Sequence, residues 1–121
     1  SQTAMLVAGD LAYHDYEGVA LDLDERERLV RDIGTKNLLM LRNHGTLAVG
    51  ETPAAAFTRI FFLERACKMQ VLAQAGGDLL ECDRDLRDKV AGQGNFGAFV
   101  DKLAWPGLRR KLDRELPGYD A

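Results

Sequence analysis

The chain has 121 residues, 46% of them hydrophobic and 29% charged, with a formal net charge of -3. That composition supplies the core of one compact domain and excludes disordered and fibrous classes. The weak negative charge gives no field that favours phosphate backbones or anionic lipid, so neither nucleic acid nor a membrane surface is an expected partner.

In chain order, the first residues carry no basic-then-apolar layout of a signal peptide, and there is no initiating methionine. Ser1-Gln2-Thr3-Ala4 is open to two readings, a processed terminus or a cut through a longer protein. Residues 6–16 form a short mixed segment. Asp22-Leu23-Asp24-Glu25 is expected to open a helix, because acids there can cap free N–H groups and suit the positive end of the dipole. Leu29, Val30 and Ile33 give that helix one apolar stripe, and Gly34 is placed to end it. Residues 37–42 then read as a strand, and 46–49 as its continuation or partner, with Gly50 as a break.

Thr52 before Pro53 is a helix start, Gly76-Gly77 is a stop, and no glycine or proline lies between them. At about 100° per residue, Phe57, Ile60, Phe61, Cys67, Val71, Leu72 and Ala75 form one stripe of this helix, with Glu64 and Lys68 inside it. Phe62, Ala66, Met69 and Ala73 coat much of the other side. A helix apolar nearly all round is expected to be covered on both sides, by the domain's own sheet and by another subunit or further chain. Glu64 and Lys68 are read first as an i,i+4 pair and second as a catalytic pair.

Residues 78–89 read as a charged helix. Gly92, Gly94 and Gly97 fit a GxGxxG pattern, but the dinucleotide fingerprint needs a strand before its first glycine and here the preceding residues are helical in type. A joint is the better reading. Phe96, Phe99, Val100, Leu103 and Trp105 make a last apolar face, Pro106 is expected to break it, and 108–116 is a short mixed-charge helix. The chain is thus expected to be one unit, residues 1–77 forming the core strands and helices and 78–121 a helical tail. No apolar run approaches the roughly 18 to 20 residues that span a bilayer. Cys67 and Cys82 have neither CxxC spacing nor the density of a secreted scaffold, which points to reduced thiols and a cytoplasmic location.

Two histidines carry the candidate chemistry. His44, in Arg42-Asn43-His44-Gly45 between two apolar runs, has three readings from residue type alone: metal ligand, general base or satisfied core side chain, the last being favoured. A metal site needs about three protein ligands, and no HxH or HExxH motif is present. His14 lies in LAYHDYEG, where Tyr13, His14, Asp15, Tyr16 and Glu17 crowd together as in a functional loop or an ordinary polar turn.

Taken in order, LAYHDYEG, DLDERERLV, LLMLRNHGTLAVGET and AAAFTRIFFLERACKMQVLAQAGG resemble the C-terminal half of class II aldolase/adducin domains, in the bacterial branch similar to the adducin head. AWPGLRRKLDRELPGY follows more loosely. The resemblance implies an α/β fold, a three-layer α/β/α sandwich around a mostly antiparallel sheet. It implies a divalent metal, zinc above all, held by three histidines. Two of these come from an HxH motif in the first half of the domain, and the third precedes a glycine at a strand end, where His44 matches it.

The HxH segment and the acid/base glutamate of the aldolases belong to a region before Ser1, so the resemblance makes this chain a fragment. Its implied activity is that of a lyase or epimerase acting on a small hydroxylated carbonyl compound or sugar phosphate, the metal stabilising an enediolate. A non-catalytic adducin-like assembly module is the alternative, and a structural domain with a packed His44 ranks last. The family also implies a homo-oligomer, a tetramer being expected. His14 and Tyr16 are the candidates for proton transfer, set against a reading in which Asp15 caps a turn and both tyrosines pack at a subunit contact.

Overall fold

The computed structural model describes residues 1–19, 23–93 and 99–120. Helix α1, Gln2–Ala8, is capped by Ser1, whose hydroxyl accepts from the Ala4 N–H at 3.3 Å. Strand β1, Leu11–His14, follows it, then α2, Glu25–Ile33, and the strands β2, Leu38–Leu41, and β3, Gly45–Ala48. The three strands form one sheet in the order β1-β2-β3. β1 runs parallel to β2 with Leu11 opposite Leu38, and β2 runs antiparallel to β3 with Leu38 opposite Ala48.

The register has a visible cause. Asp10, just before β1, accepts from the backbone N–H of Asn37 at 2.9 Å and from its side-chain amide at 3.1 Å, just before β2. One carboxylate therefore aligns the starts of both parallel strands.

Leu38 and Leu39 are each 1% exposed although successive side chains on a strand point to opposite faces, so both faces of the central strand are covered. Leu38 joins Val7 of α1 with Leu63 and Ala66 of α3, Pro53–Ala75, in the main core, and Leu11, Met40 and Ala48 pack against it on the same face. On the other face His14 meets Asp32 and Glu25 of α2. Helices thus lie on both sides of the sheet, as the α/β/α layering requires. Within these strands one pairing is parallel and one antiparallel, so the antiparallel majority expected of the whole domain is not expressed in this stretch.

The caps of α3 are those expected: Thr52 accepts from the Ala55 N–H at 3.1 Å, Pro53 takes the first turn, and Gly76 ends the helix. Its inward face is different. Ala54, Thr58, Leu63 and Ala66 are buried; of the expected stripe, Ile60 and Cys67 pack against the core, whereas Phe57, Phe61, Val71 and Leu72 are exposed. Where apolar residues surround a helix, periodicity alone cannot select the side the sheet takes. Small residues are on that side because they let α3 approach the sheet closely. Glu64 does not complete the expected pair with Lys68 either; it accepts a short hydrogen bond from the Thr46 hydroxyl on β3.

Other local expectations also shift. The side chain of Asp24, at the N-cap of α2, makes no cap hydrogen bond, so its acids act there through the dipole, with Glu25 and Glu27 in the first turn. Val30 is exposed and the buried residue of that helix is Glu25, while Gly34 ends it at φ 54°. Helix α4, Arg84–Gly92, begins later than 78. Pro106 does not break the tail: a π-helical turn, Val100–Ala104, runs into α5, Trp105–Glu115, and the proline sits where one passes into the other. Asp22, Gly94, Phe96 and Gly97 lie outside the described residues.

Candidate functional site

His44 closes the three-residue turn 42–44 between β2 and β3, where Leu41 is paired with Gly45. Its N–H donates to the Leu41 carbonyl at 3.1 Å, and Asn43 takes up the reversal at φ 55°, a conformation that asparagine tolerates better than most residues. The turn puts His44 at the surface, at one end of the sheet, with its imidazole exposed. It is not packed in a core, which was the reading that residue type alone favoured.

The turn is gripped from both flanks. On one, the Arg42 N–H donates to the His14 carbonyl at 3.0 Å, its Nε pairs with Asp15 Oδ1 at 2.9 Å, and its guanidinium lies 5.5 Å from the centre of the Tyr13 ring. On the other, Thr46 is tied to Glu64, and Arg59 Nη1 donates to the Val49 carbonyl at 2.9 Å. Asp15 therefore serves Arg42.

His14 is placed quite differently from His44. It is 2% exposed, and its Nδ1–H donates to Asp32 Oδ2 at 2.8 Å. Nε2 has no hydrogen-bond partner among the described residues; it faces Glu25 Oε1 at 3.6 Å and Glu17 Oε1 at 4.0 Å. Glu17 is claimed by Arg28, whose Nε reaches its two oxygens at 2.9 and 2.7 Å, and that hydrogen bonding holds the Glu17 carboxyl below its ordinary value. Asp32 is lowered likewise, by the hydrogen bond from Arg31 first and by that from His14 second. Three carboxylates and two guanidiniums thus surround one buried imidazole at the junction of β1 and α2. Tyr16, two residues on, is 53% exposed where His14 is buried.

The sequence reading gave Asp32 no mention, Glu25 only a place at a helix start and Arg42 only a place beside His44, and none of them a role at the site. A signal was available for the first two: residues seven apart on a helix share a face, so Glu25 and Asp32 present one polar side of α2 to whatever lies beneath. Among the described residues no group of three or more His, Cys, Asp or Glu side chains is arranged to hold a metal ion. An open groove of about 800 Å³ between α1, α3 and α4 is lined by Met5, Met69, Leu79 and Arg87 and includes neither histidine.

Residues 1–71, more than half of the chain, match the family described as Class II Aldolase and Adducin N-terminal domain. The chain belongs to this family. A Caulobacter vibrioides relative assigned to aldolase class 2 is 53% identical over 98% of the chain and 48% of its own length. Gamma-adducin of Rattus norvegicus is 46% identical, covering 89% of the chain and 18% of the adducin. The crystal structure of an aldolase II superfamily protein from Pseudomonas syringae superposes with a TM-score of 0.90 at 42% identity, over all of this chain and 50% of that one.

L-fuculose 1-phosphate aldolase from Glaciozyma antarctica, at 24% identity and a TM-score of 0.75 over 95% of this chain and 44% of its own, shares the fold. The chain therefore spans about half the length of its bacterial class II aldolase relatives. Enzymes of this family generally use a divalent metal. Here the chemistry of one exposed imidazole suits a single ligand position, and the described residues of this chain do not complete a site.

Proposed function

We propose that this chain is the C-terminal part of a metal-dependent lyase or epimerase of the class II aldolase type, acting on a small hydroxylated carbonyl compound or sugar phosphate, and that His44 is one of its metal ligands. The observation that carries this reading is the placement of His44: an outward imidazole on a turn fastened from both flanks, at the end of a sheet in a class II aldolase fold. The remaining ligands would come from residues preceding Ser1, as two further histidines. A divalent ion, for which an imidazole set suits zinc among others, would supply Lewis acidity next to a carbonyl when bound.

What this chain contributes is orientation. Asn43 and the Leu41–His44 hydrogen bond fix the backbone of the ligand, and His14 clamps β1 to α2. Tyr16, half exposed in the same loop, is the group there open to act as an acid. The exposed aromatic face of α3 supports a homo-oligomer, a tetramer by family.

Metal analysis tests the assignment. The longer gene product should hold zinc stoichiometrically and its His44→Ala variant should not, while the isolated 121-residue chain should bind it weakly. Equal zinc in the first two removes His44 from the site. Tyr16→Phe should lower turnover about 10²-fold with metal content unchanged; full activity takes Tyr16 out of the reaction. The 46% identity to gamma-adducin favours a second reading, a non-catalytic assembly module. Zinc-free gene product without turnover on any short hydroxy-ketone or sugar phosphate would select it.

A further inference from the structure

Arg42 stands two residues before His44 in the same turn, and its attachments all lead to one place. Its N–H reaches the His14 carbonyl, its guanidinium lies over Tyr13, and its Nε pairs with Asp15. These three consecutive residues span the end of β1 and the residue after it, and their middle member is the buried histidine hydrogen-bonded to Asp32 of α2. The turn that carries His44 is thus fastened through Arg42 to a rigid point of the fold. The flank beyond His44 is fastened separately, through Thr46 and Glu64.

This fastening contributes little to folding. The side chains of Arg42 and Asp15 are 60% and 89% exposed, and an ion pair so open to solvent adds little stability. A ligand imidazole is far more sensitive than a fold to small changes of direction, because a metal accepts its donors only within narrow geometry.

We propose that Arg42, held by Asp15 and Tyr13, is a positioning residue that sets the direction in which the His44 imidazole leaves the turn. The proposal rests on the reading of His44 as a metal ligand. Lysine is a poor substitute, since a compact ammonium cannot pair with Asp15 and cover the Tyr13 ring at once as the broad guanidinium does.

The test is zinc affinity of the longer gene product, by competition with a chelator, in Arg42→Ala, Arg42→Lys, Asp15→Asn and His44→Ala. Arg42→Ala and Asp15→Asn should each weaken binding about 10-fold or more with the thermal midpoint nearly unchanged, and Arg42→Lys should recover only part. In the isolated 121-residue chain, without metal, the His44 ring resonances should shift in Arg42→Ala and Asp15→Asn. Unchanged affinity in Asp15→Asn and Arg42→Ala, with zinc lost in His44→Ala, overturns the positioning role and leaves the ligand standing. Zinc retained in His44→Ala overturns both. Asp15→Asn decides the matter if Arg42→Ala fails to fold, because so exposed a carboxylate is not needed for folding.

Discussion

At the scale of the residue, one imidazole is buried and the other exposed, and the difference dictates what each can do. His14→Ala would leave a void at the β1–α2 junction and strand Asp32 and Glu25 without their imidazole, a loss of about 2 to 4 kcal/mol measurable by urea unfolding. His44→Ala, at an exposed turn, should change stability by less than about 0.5 kcal/mol. Acid sensitivity is set by the same cluster. Asp32 and Glu17 have carboxyls held below their ordinary values, so the folded chain binds their protons less readily than the unfolded one. Their contribution is complete above the ordinary carboxylate value of about 4 and is lost as pH falls through the depressed values. Unfolding free energy should decline in that window, and Asp32→Asn should flatten the decline; an equally steep acid limb in the variant would show that Asp32 carries none of it.

At the scale of the element, the helix α3 shows what a sequence makes legible and what it does not. Its ends could be read from Thr52, Pro53 and Gly76 because caps are chemistry between neighbours in the chain. The two apolar runs of β2 and β3 were legible as strands, but whether the second continued the first or paired with it was not. The buried face of α3 was not, since aromatic and aliphatic residues surround the helix and only the sheet decides which side it takes. Nor were the clasps from His14 to Asp32, 18 residues apart, or from Asp10 to Asn37, 27 apart, because no local pattern announces a partner at such separation. In the candidate site, His44 was identified through its resemblance to a family pattern, whereas Arg42 emerged only from coordinates. Gly50 is where α3 meets the sheet: an added Cβ would stand 2.7 Å from the Ala56 nitrogen and 3.0 Å from the Ala55 Cβ, both parts of the first helical turn. Backbone cannot yield as a flexible side chain would, so Gly50→Ala should cost about 1 to 3 kcal/mol, seen as a fall of several degrees in the thermal midpoint. Gly45→Ala, with nothing within 4 Å, should be close to neutral in the same measurement.

At the scale of the whole molecule, the outer side of α3 is the least settled surface. Phe57 and Phe61 stack with ring centres 6.2 Å apart, Trp105 leans on Phe57 at 5.7 Å, and both phenylalanines remain more than 40% exposed. A contiguous aromatic patch on a small domain favours association. The isolated chain should therefore show concentration-dependent light scattering, and Phe57→Ser with Phe61→Ser should reduce it; identical scattering in the double variant would locate self-association elsewhere. A cysteine on a neighbouring flank of α3 offers a means of probing this packing. Cys67 packs against the core and its thiol is pushed up, by burial first and by the nearby Glu64 second, while Cys82 is exposed beyond the helix end. Only the thiolate attacks a disulfide reagent. Mixed with an aromatic disulfide, the chain should release one chromophore in a fast burst from Cys82 and a second slowly from Cys67. The slow rate would then measure how far the packing around half-buried Cys67 holds back its thiolate, a gauge built into the protein without any added label.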